Sequence, residues 1–276
     1  MAADYSAWID RETIRHDVVT ERTVVTFNET LRPHLFTPVA EQPGTLGLHW
    51  CVAPAIHPPE NLGPDGAERK GLFLPPIPLP RRMWAGGELE IFAPIAAGDM
   101  ISRHSRVGEV SERRGASGPL CIVPVHHDIH AAGVLAVRER HDILFRGEAV
   151  ASAPKSIVET RAPAHALWHV EASSLLLLRF SALTFNGHRI HYDLPYARDV
   201  EGYGGLLVHG PLQALLALNQ AAILLGQAPR RFIYRCLAPL LAPQVFTVES
   251  TATELGVETA LFDAAGVRTL AATATA

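Results

Sequence analysis

The chain has 276 residues, 48% of them hydrophobic, with 24 Lys and Arg against 28 Asp and Glu and a formal net charge of −4. That size and apolar content suit one large or two ordinary globular domains, and the absence of a basic run argues against a nucleic-acid partner. Three dispersed cysteines, Cys51, Cys121 and Cys236, form no CxxC pair, which points to a reducing compartment and away from a thiolate zinc site.

The N-terminal stretch MAADYSAWIDRETIRHD carries charges throughout and lacks the apolar centre of a secretory signal. Further on, the chain repeats itself. Thr26-Phe27-Asn28 returns as Thr184-Phe185-Asn186, an offset of 158; Ala93-Pro94-Ile95 returns as Ala238-Pro239-Leu240, an offset of 145. Ala131-Ala132-Gly133-Val134 returns as Ala264-Ala265-Gly266-Val267, an offset of 133. The matches keep their order, so the chain reads as one unit present twice. The falling offset puts extra residues in the first half, in the Pro-rich stretch Ala53 to Arg82 and around Glu112 to Pro119.

After Pro94 come β-rich runs, MISRHSRVGEV, PLCIVPVHHDIH and GVLAVRERHDILF, the last two joined across Ala131-Ala132-Gly133. After Pro239 come QVFTVEST, VETALF and VRTLAATA, with a hairpin across Asp263 to Gly266. Between the halves, Gly147 to Leu167 is rich in Ala and Pro and reads as a linker. The stretch PLQALLALNQAAILLG predicts a helix, with Pro211 as its first residue, Gly226 at its C-terminal cap and Pro229 just beyond. Its apolar residues run nearly all the way round, which predicts burial. Gln213, Asn219 and Gln220 interrupt it, and it is shorter than the roughly 20 apolar residues of a membrane span. The expectation is a cytoplasmic protein with no membrane contact. One buried helix followed by antiparallel strands, twice over, gives an α+β double hot-dog whose two sheets pair as an intrachain pseudo-dimer. Its expected division is an N-terminal unit at 1–147, a linker at 148–167 and a C-terminal unit at 168–276.

The densest polar stretch is TFNGHRIHYD, Thr184 to Asp193. His188 and His191, with Asp193 and His209 further on, have metal-ligand chemistry, but Arg189 intervenes and no glutamate sits at a zincin spacing, so no metal is expected. Asn186-Gly187 is a strong turn signal, and a polar turn is the simplest reading of the stretch. That reading does not explain a second stretch, EGYGGLLVHGPLQALL from Glu201 to Leu216, in which His209-Gly210 immediately precedes the buried helix. A helix N-terminus offers unpaired N–H groups and the positive end of the dipole, and glycine lets a ligand carbonyl approach the backbone. Such a place can hold a thioester oxygen as charge develops on it.

The run F-N-G-H-R-I-H-Y-D, with E-G-Y-G-G-L-L-V-H-G-P after it, resembles the MaoC-like hydratases and dehydratases. Within them it is most similar to the two-domain group that includes mesaconyl-CoA and itaconyl-CoA hydratases and the type 2 hydroxyacyl-thioester dehydratases of mitochondria. GPDG…LPPIPLPRRMWAGGELEIFAPI resembles that group's N-terminal domain more loosely, so the likeness spans nearly the whole chain. It implies a hydro-lyase that reversibly hydrates an enoyl-CoA to a 3-hydroxyacyl-CoA, with a branched C5 dicarboxylic acyl group of the mesaconyl or itaconyl type. In the family loop D-x-N-P-x-H the aspartate and histidine handle the water. Here His191 takes the histidine position, Asn186 the aspartate position, and His188 and Arg189 the two between. An amide is no general base. His191 is therefore expected to move the protons, Asn186 to orient the water or the imidazole, and the Gly210 N–H to hold the thioester oxygen.

His188, Arg189, Asp193, Tyr203, His209, Arg82 and Trp84 are expected against the substrate, with Arg81 and Met83 nearby and an arginine available for a free carboxylate. Asp193 reads equally as a second carboxylate or as a loop cap. No cofactor is implied, CoA being part of the substrate, and the assembly expected is a homodimer of pseudo-dimers. Laying Asn28 on Asn186 puts Thr30, Leu31 and Pro33 at the positions of His188, Arg189 and His191, so the first half is expected to be a non-catalytic channel wall. Two other functions fit the same sequence. One is a hot-dog acyl-CoA thioesterase. The other is a non-catalytic acyl-CoA-binding protein, which the missing aspartate favours.

Overall fold

The computed structural model describes residues 4–37, 44–115, 118–147 and 163–276. The first half runs β1 (Glu12–Val18), α1 (Glu21–Leu31), β2 (Arg81–Ile91), β3 (Met100–Val107), β4 (Ser111–Gly115), β5 (Gly118–Ala131) and β6 (Val134–Arg146). The second runs β7 (Ala166–Ala172), α2 (Ser174–Thr184), β8 (Leu206–Leu207), α3 (Gly210–Leu225), β9 (Arg231–Cys236), β10 (Leu241–Ala242), β11 (Gln244–Thr253), β12 (Gly256–Phe262) and β13 (Arg268–Thr275). One antiparallel sheet crosses both halves in the order β1-β3-β5-β6-β2-β9-β13-β12-β11-β7, with β4 paired to β5 off that path. The order is a palindrome of equivalents: β1 answers β7, β3 answers β11, β5 answers β12, β6 answers β13 and β2 answers β9.

The repeat offset explains where the halves join. Across the β2–β9 ladder, Glu88 pairs with Ile233, Gly87 with Tyr234 and Leu89 with Phe232. Adding the offset of 145 to 88 gives 233, so Glu88 faces its own repeat equivalent and the pseudo-twofold axis passes through that pair. The expected double hot-dog with paired sheets is what is found.

The third shared motif closes equivalent hairpins, β5–β6 and β12–β13. The second excess of the first half is the extra strand β4, folded onto β5. The first shared motif is different. Thr26-Phe27-Asn28 lies inside α1, whereas Thr184 is the last residue of α2. The helices instead align at an offset of 153. N-cap Thr20 accepts a hydrogen bond from Thr23 N, N-cap Ser173 accepts one from Leu176 N, and Phe27 and Phe180 are both fully buried. The Thr-Phe-Asn match is coincidental. The corrected offset carries Asn186 to Pro33 and His188 to Leu35, so the first half still places no imidazole there. The expected linker lies largely at 148–162, outside the described residues, and its last two positions, Ala166 and Leu167, belong to β7.

Helix α3 fulfils the reading of a buried helix: every residue from Pro211 to Ala222 is buried, and Gly226 ends the helix at φ +72°. It lies against β11, β12 and β13. A second long buried helix was expected in the first half. Among the described residues the inner face of that half holds instead a single 3₁₀ turn, Leu48–Cys51, all of it buried. The space a longer helix would occupy is left partly to cavities and to an unusual set of buried polar side chains. Among the described residues no helix is long and apolar enough to cross a membrane.

Candidate active site

The loop from Phe185 to Asp193 is shaped by local chemistry first. Helix α2 stops at Phe185 in the left-handed conformation (φ 52°). The Asn186 side-chain oxygen then accepts the His188 N–H at 3.0 Å, closing an Asx turn. One 3₁₀ turn, Arg189–His191, brings His191 inward, where it is 7% exposed. Strand β8 pairs with β10 and presents the Leu207 carbonyl, which lies 2.8 Å from His191 Nδ1. A carbonyl only accepts, so Nδ1 carries the proton and Nε2 keeps its lone pair. His209 stacks on the His191 ring at 3.6 Å between centroids and 18° between planes, and Ser181 Oγ sits 2.9 Å from His209 Nε2. The imidazole is thus fixed from two sides. Burial is the main cause that lowers the His191 pKa to about 3, helped by His188 and opposed by the Leu207 carbonyl. The ring is neutral in ordinary buffers.

His191, His188, Asn186 and Gly210 line one cavity of about 500 Å³, with Arg82, Trp84, Met83 and Tyr203 on other walls. Gly210 opens α3, and among the described residues its N–H donates no hydrogen bond. His188 is also held neutral, its pKa lowered to about 3 by burial and then by Arg82. Arg82 donates to the Glu68 carbonyl at 3.2 Å and to Asp65 at 3.4 Å, both from the first half. Trp84 donates to the Tyr234 hydroxyl at 2.6 Å and is pinned there against α3.

Three expected site residues stand elsewhere. Arg189 and Asp193 are absent from the cavity wall because they neutralise one another, Nη2 and Nε lying 2.8 and 2.9 Å from Asp193 Oδ2. Asp193 also accepts the Tyr196 N–H, and its pKa is lowered by the Arg189 hydrogen bond first; it is the loop cap. Arg189 docks the loop on the first half, its N–H reaching Asp65 O at 2.8 Å and Nη1 reaching Pro64 O at 3.0 Å. Beside it the backbones of Gly66 and Gly187 touch: a Cβ on Gly66, at φ +80°, would fall 2.1 Å from Gly187 O. His209 is fully buried behind His191 rather than on the cavity surface. Arg81 is likewise spent, bonding Glu201 and lying over the Tyr203 ring. Ser181, Leu207 O and Glu68 had no signal in the sequence, since each reaches the site through pairing or docking across many residues. Among the described residues no group of three His, Cys, Asp or Glu is placed to hold a metal ion.

The buried histidines carry a prediction. In the fold His188, His191 and His49 sit at about 3 to 4, and His127, His141 and His209 are also well below 6.5, in every case chiefly through burial. The unfolded chain binds these protons near pH 6.5, so below that value it holds more protons than the fold does. Stability is therefore full above about pH 7 and falls as pH drops through the 6.5-to-4 window. Urea midpoints measured from pH 7.5 to 5 should fall steadily; a flat profile contradicts the neutral, buried assignment.

The chain matches the family model "Hydroxyacyl-thioester dehydratase type 2" over residues 47–242, more than half its length. It is 38% identical over 246 residues to a Chloroflexus aurantiacus protein named mesaconyl-C(4)-CoA hydratase, covering 88% of each chain. It is 24% identical to the mitochondrial hydroxyacyl-thioester dehydratase type 2 of Schizosaccharomyces pombe, covering 72% of this chain and 74% of that one. Among solved structures, a MaoC-like dehydratase matches at TM-score 0.70 and 15% identity over 98% of both chains. A Mycobacterium tuberculosis protein described as a double hotdog matches at TM-score 0.57 and 14% identity, over 99% of this chain and 97% of that one. These two likenesses speak for the fold.

Proposed function

Because the chain belongs to the hydroxyacyl-thioester dehydratase type 2 family and is a hydro-lyase, we propose that it adds water to an enoyl-CoA whose acyl group is a branched C5 dicarboxylic acid of the mesaconyl type. The observation that carries this reading is that one cavity is lined both by a neutral His191 with its Nε2 lone pair free and by Gly210, whose N–H donates no hydrogen bond among the described residues. Water held at His191 loses a proton to Nε2 as its oxygen bonds to Cβ. The π electrons move through Cα to the thioester oxygen, where the Gly210 N–H and the positive end of α3 stabilise the negative charge. The enolate then collapses and takes a proton at Cα. The proton taken up on His191 Nε2 is the one returned to Cα, so the same imidazole serves as base and then as acid. Asn186 shapes the loop through the His188 N–H and lines the cavity beside the water's place.

His188, Tyr203 and Trp84 form the substrate walls, and Arg82 lends the chamber positive charge that suits an anionic acyl-CoA. The assay is loss of the conjugated enoyl absorbance when purified protein meets branched C5 enoyl-CoA thioesters. Hydration without release of CoA thiol is expected. Thiol release would place the chain among thioesterases, and binding without turnover would make it an acyl-CoA-binding protein.

A further inference from the structure

A second chamber of about 590 Å³ adjoins the catalytic cavity, and Ala55, Ala67, Glu68, Trp84, Asn186 and Pro211 line both. Asn186 thus stands at the junction of the two spaces. Part of the second chamber's wall comes from the first half, where among the described residues no long helix fills the sheet. On that wall Arg103 projects inward from β3, in phase with buried Ile101, Ser105 and Val107.

Arg103 is an unusual residue to find there. It is 7% exposed, and no carboxylate lies within ion-pair distance of it among the described residues. One Nη2 hydrogen bond goes to the His49 carbonyl, while Nε has no acceptor. His57, on the same chamber wall, also has an unpartnered Nε2, with Glu68 Oε2 at 3.5 Å. Glu139 is the negative charge that acts most on Arg103 and opposes the effect of burial, though the two make no ion pair, and Glu139 Oε2 has no hydrogen-bond partner among the described residues. Glu139 accepts from Trp50 Nε1 at 2.7 Å and abuts His141, which in turn meets His127 at 3.2 Å. Arg15 lies across the β1–β3 ladder from Arg103 and adds positive charge, and Asp17 accepts the Ala53 N–H at 2.7 Å. A buried guanidinium with an idle donor is costly unless an anion meets it.

We propose that the second chamber is a carboxylate subsite: the Arg103 guanidinium, on the chamber wall, receives the free carboxylate of a dicarboxylic acyl group, while the CoA arm lies in the first cavity. The proposal rests on the hydratase reading and names the feature of the substrate that this chain selects. Arg82, already bonded to Asp65 and the Glu68 carbonyl, serves the thioester side.

The test uses two enoyl-CoA thioesters of equal shape, one with a carboxylate on Cβ and one with a methyl group in its place. The quantity read is the ratio of their kcat/KM values, which does not depend on the fraction of protein folded. Wild type should favour the carboxylate. Arg103→Met should lower the ratio by about 100-fold, the loss typical of breaking a buried charged pair. Arg103→Lys, keeping charge without the planar fork, should fall between. Arg82→Gln should lower both rates together. An unchanged ratio in Arg103→Met, or a collapse of the ratio in Arg82→Gln instead, overturns the subsite. Wild-type protein that hydrates both thioesters but prefers the methyl compound overturns the subsite and leaves the hydratase reading standing. Wild-type protein that hydrates neither overturns both.

Discussion

Replacing His191 with alanine is expected to lower the hydration rate by roughly 10²–10⁴-fold, the usual worth of a positioned acid–base group. KM should move far less, because substrate is held by other walls of the cavity. The reason lies in the tautomer. With Nδ1 donating to Leu207 O and His209 stacked behind the ring, the His191 imidazole is held with its Nε2 lone pair free, whereas no hydrogen bond fixes the His188 ring among the described residues. Asn186→Ala should cost less, since its side-chain oxygen is already occupied by the His188 N–H and an amide moves no proton. Stopped-flow or steady-state loss of enoyl absorbance measures both. A His191→Ala protein within a few fold of wild type, folded by circular dichroism, ends the assignment.

The second large effect concerns a backbone group. Gly210→Pro removes the N–H assigned to the thioester oxygen, yet suits the place. Proline is tolerated in the first turn of a helix, and His209 already has the extended ψ of 135° that a residue before proline prefers. Gly210→Ala is the matched control. Its Cβ would sit 3.2 Å from Trp84 Cβ and 3.3 Å from Cys236 Sγ, a tight fit that proline shares, while the N–H remains. The proline variant should be slower than the alanine variant by roughly 10²–10³-fold in kcat, the cost of one oxyanion donor. Equal rates in the two variants would show that the charge on the thioester oxygen is stabilised elsewhere.

These residues also separate what is legible locally from what is not. The loop was legible as a unit because its chemistry is dense and contiguous, and Gly210 only in combination with it, since a lone glycine before a helix reads as ordinary turn duty. The sorting of the loop was not. Arg189 and Asp193 stood among the expected contacts, but opposite charges four residues apart on a tight turn satisfy each other and leave the cavity. His209 was expected on the surface of the site and is found behind it, because Ser181, 28 residues earlier on α2, holds its ring. The Thr-Phe-Asn echo misled for a related reason. Three residues carry too little information to fix a register, whereas a capped helix with a buried phenylalanine at the same phase carries enough.

The register that sets Glu88 opposite Ile233 came from the β2–β9 ladder, while the sequence by itself determined the doubled unit, the hairpins and the burial of α3. Each of these rests on periodicity or repetition, which are properties of neighbouring residues. Only the tertiary structure decided which nitrogen of His191 is free, that the first half keeps a chamber where a long helix was expected, and that Arg103 lies buried without an ion pair among the described residues. Those facts depend on β8 meeting β10, on β3 lying between β1 and β5, and on the loop at 63–68 touching the loop at 187–189. Contacts of that range are set by how whole elements pack, and no local pattern of side chains encodes them.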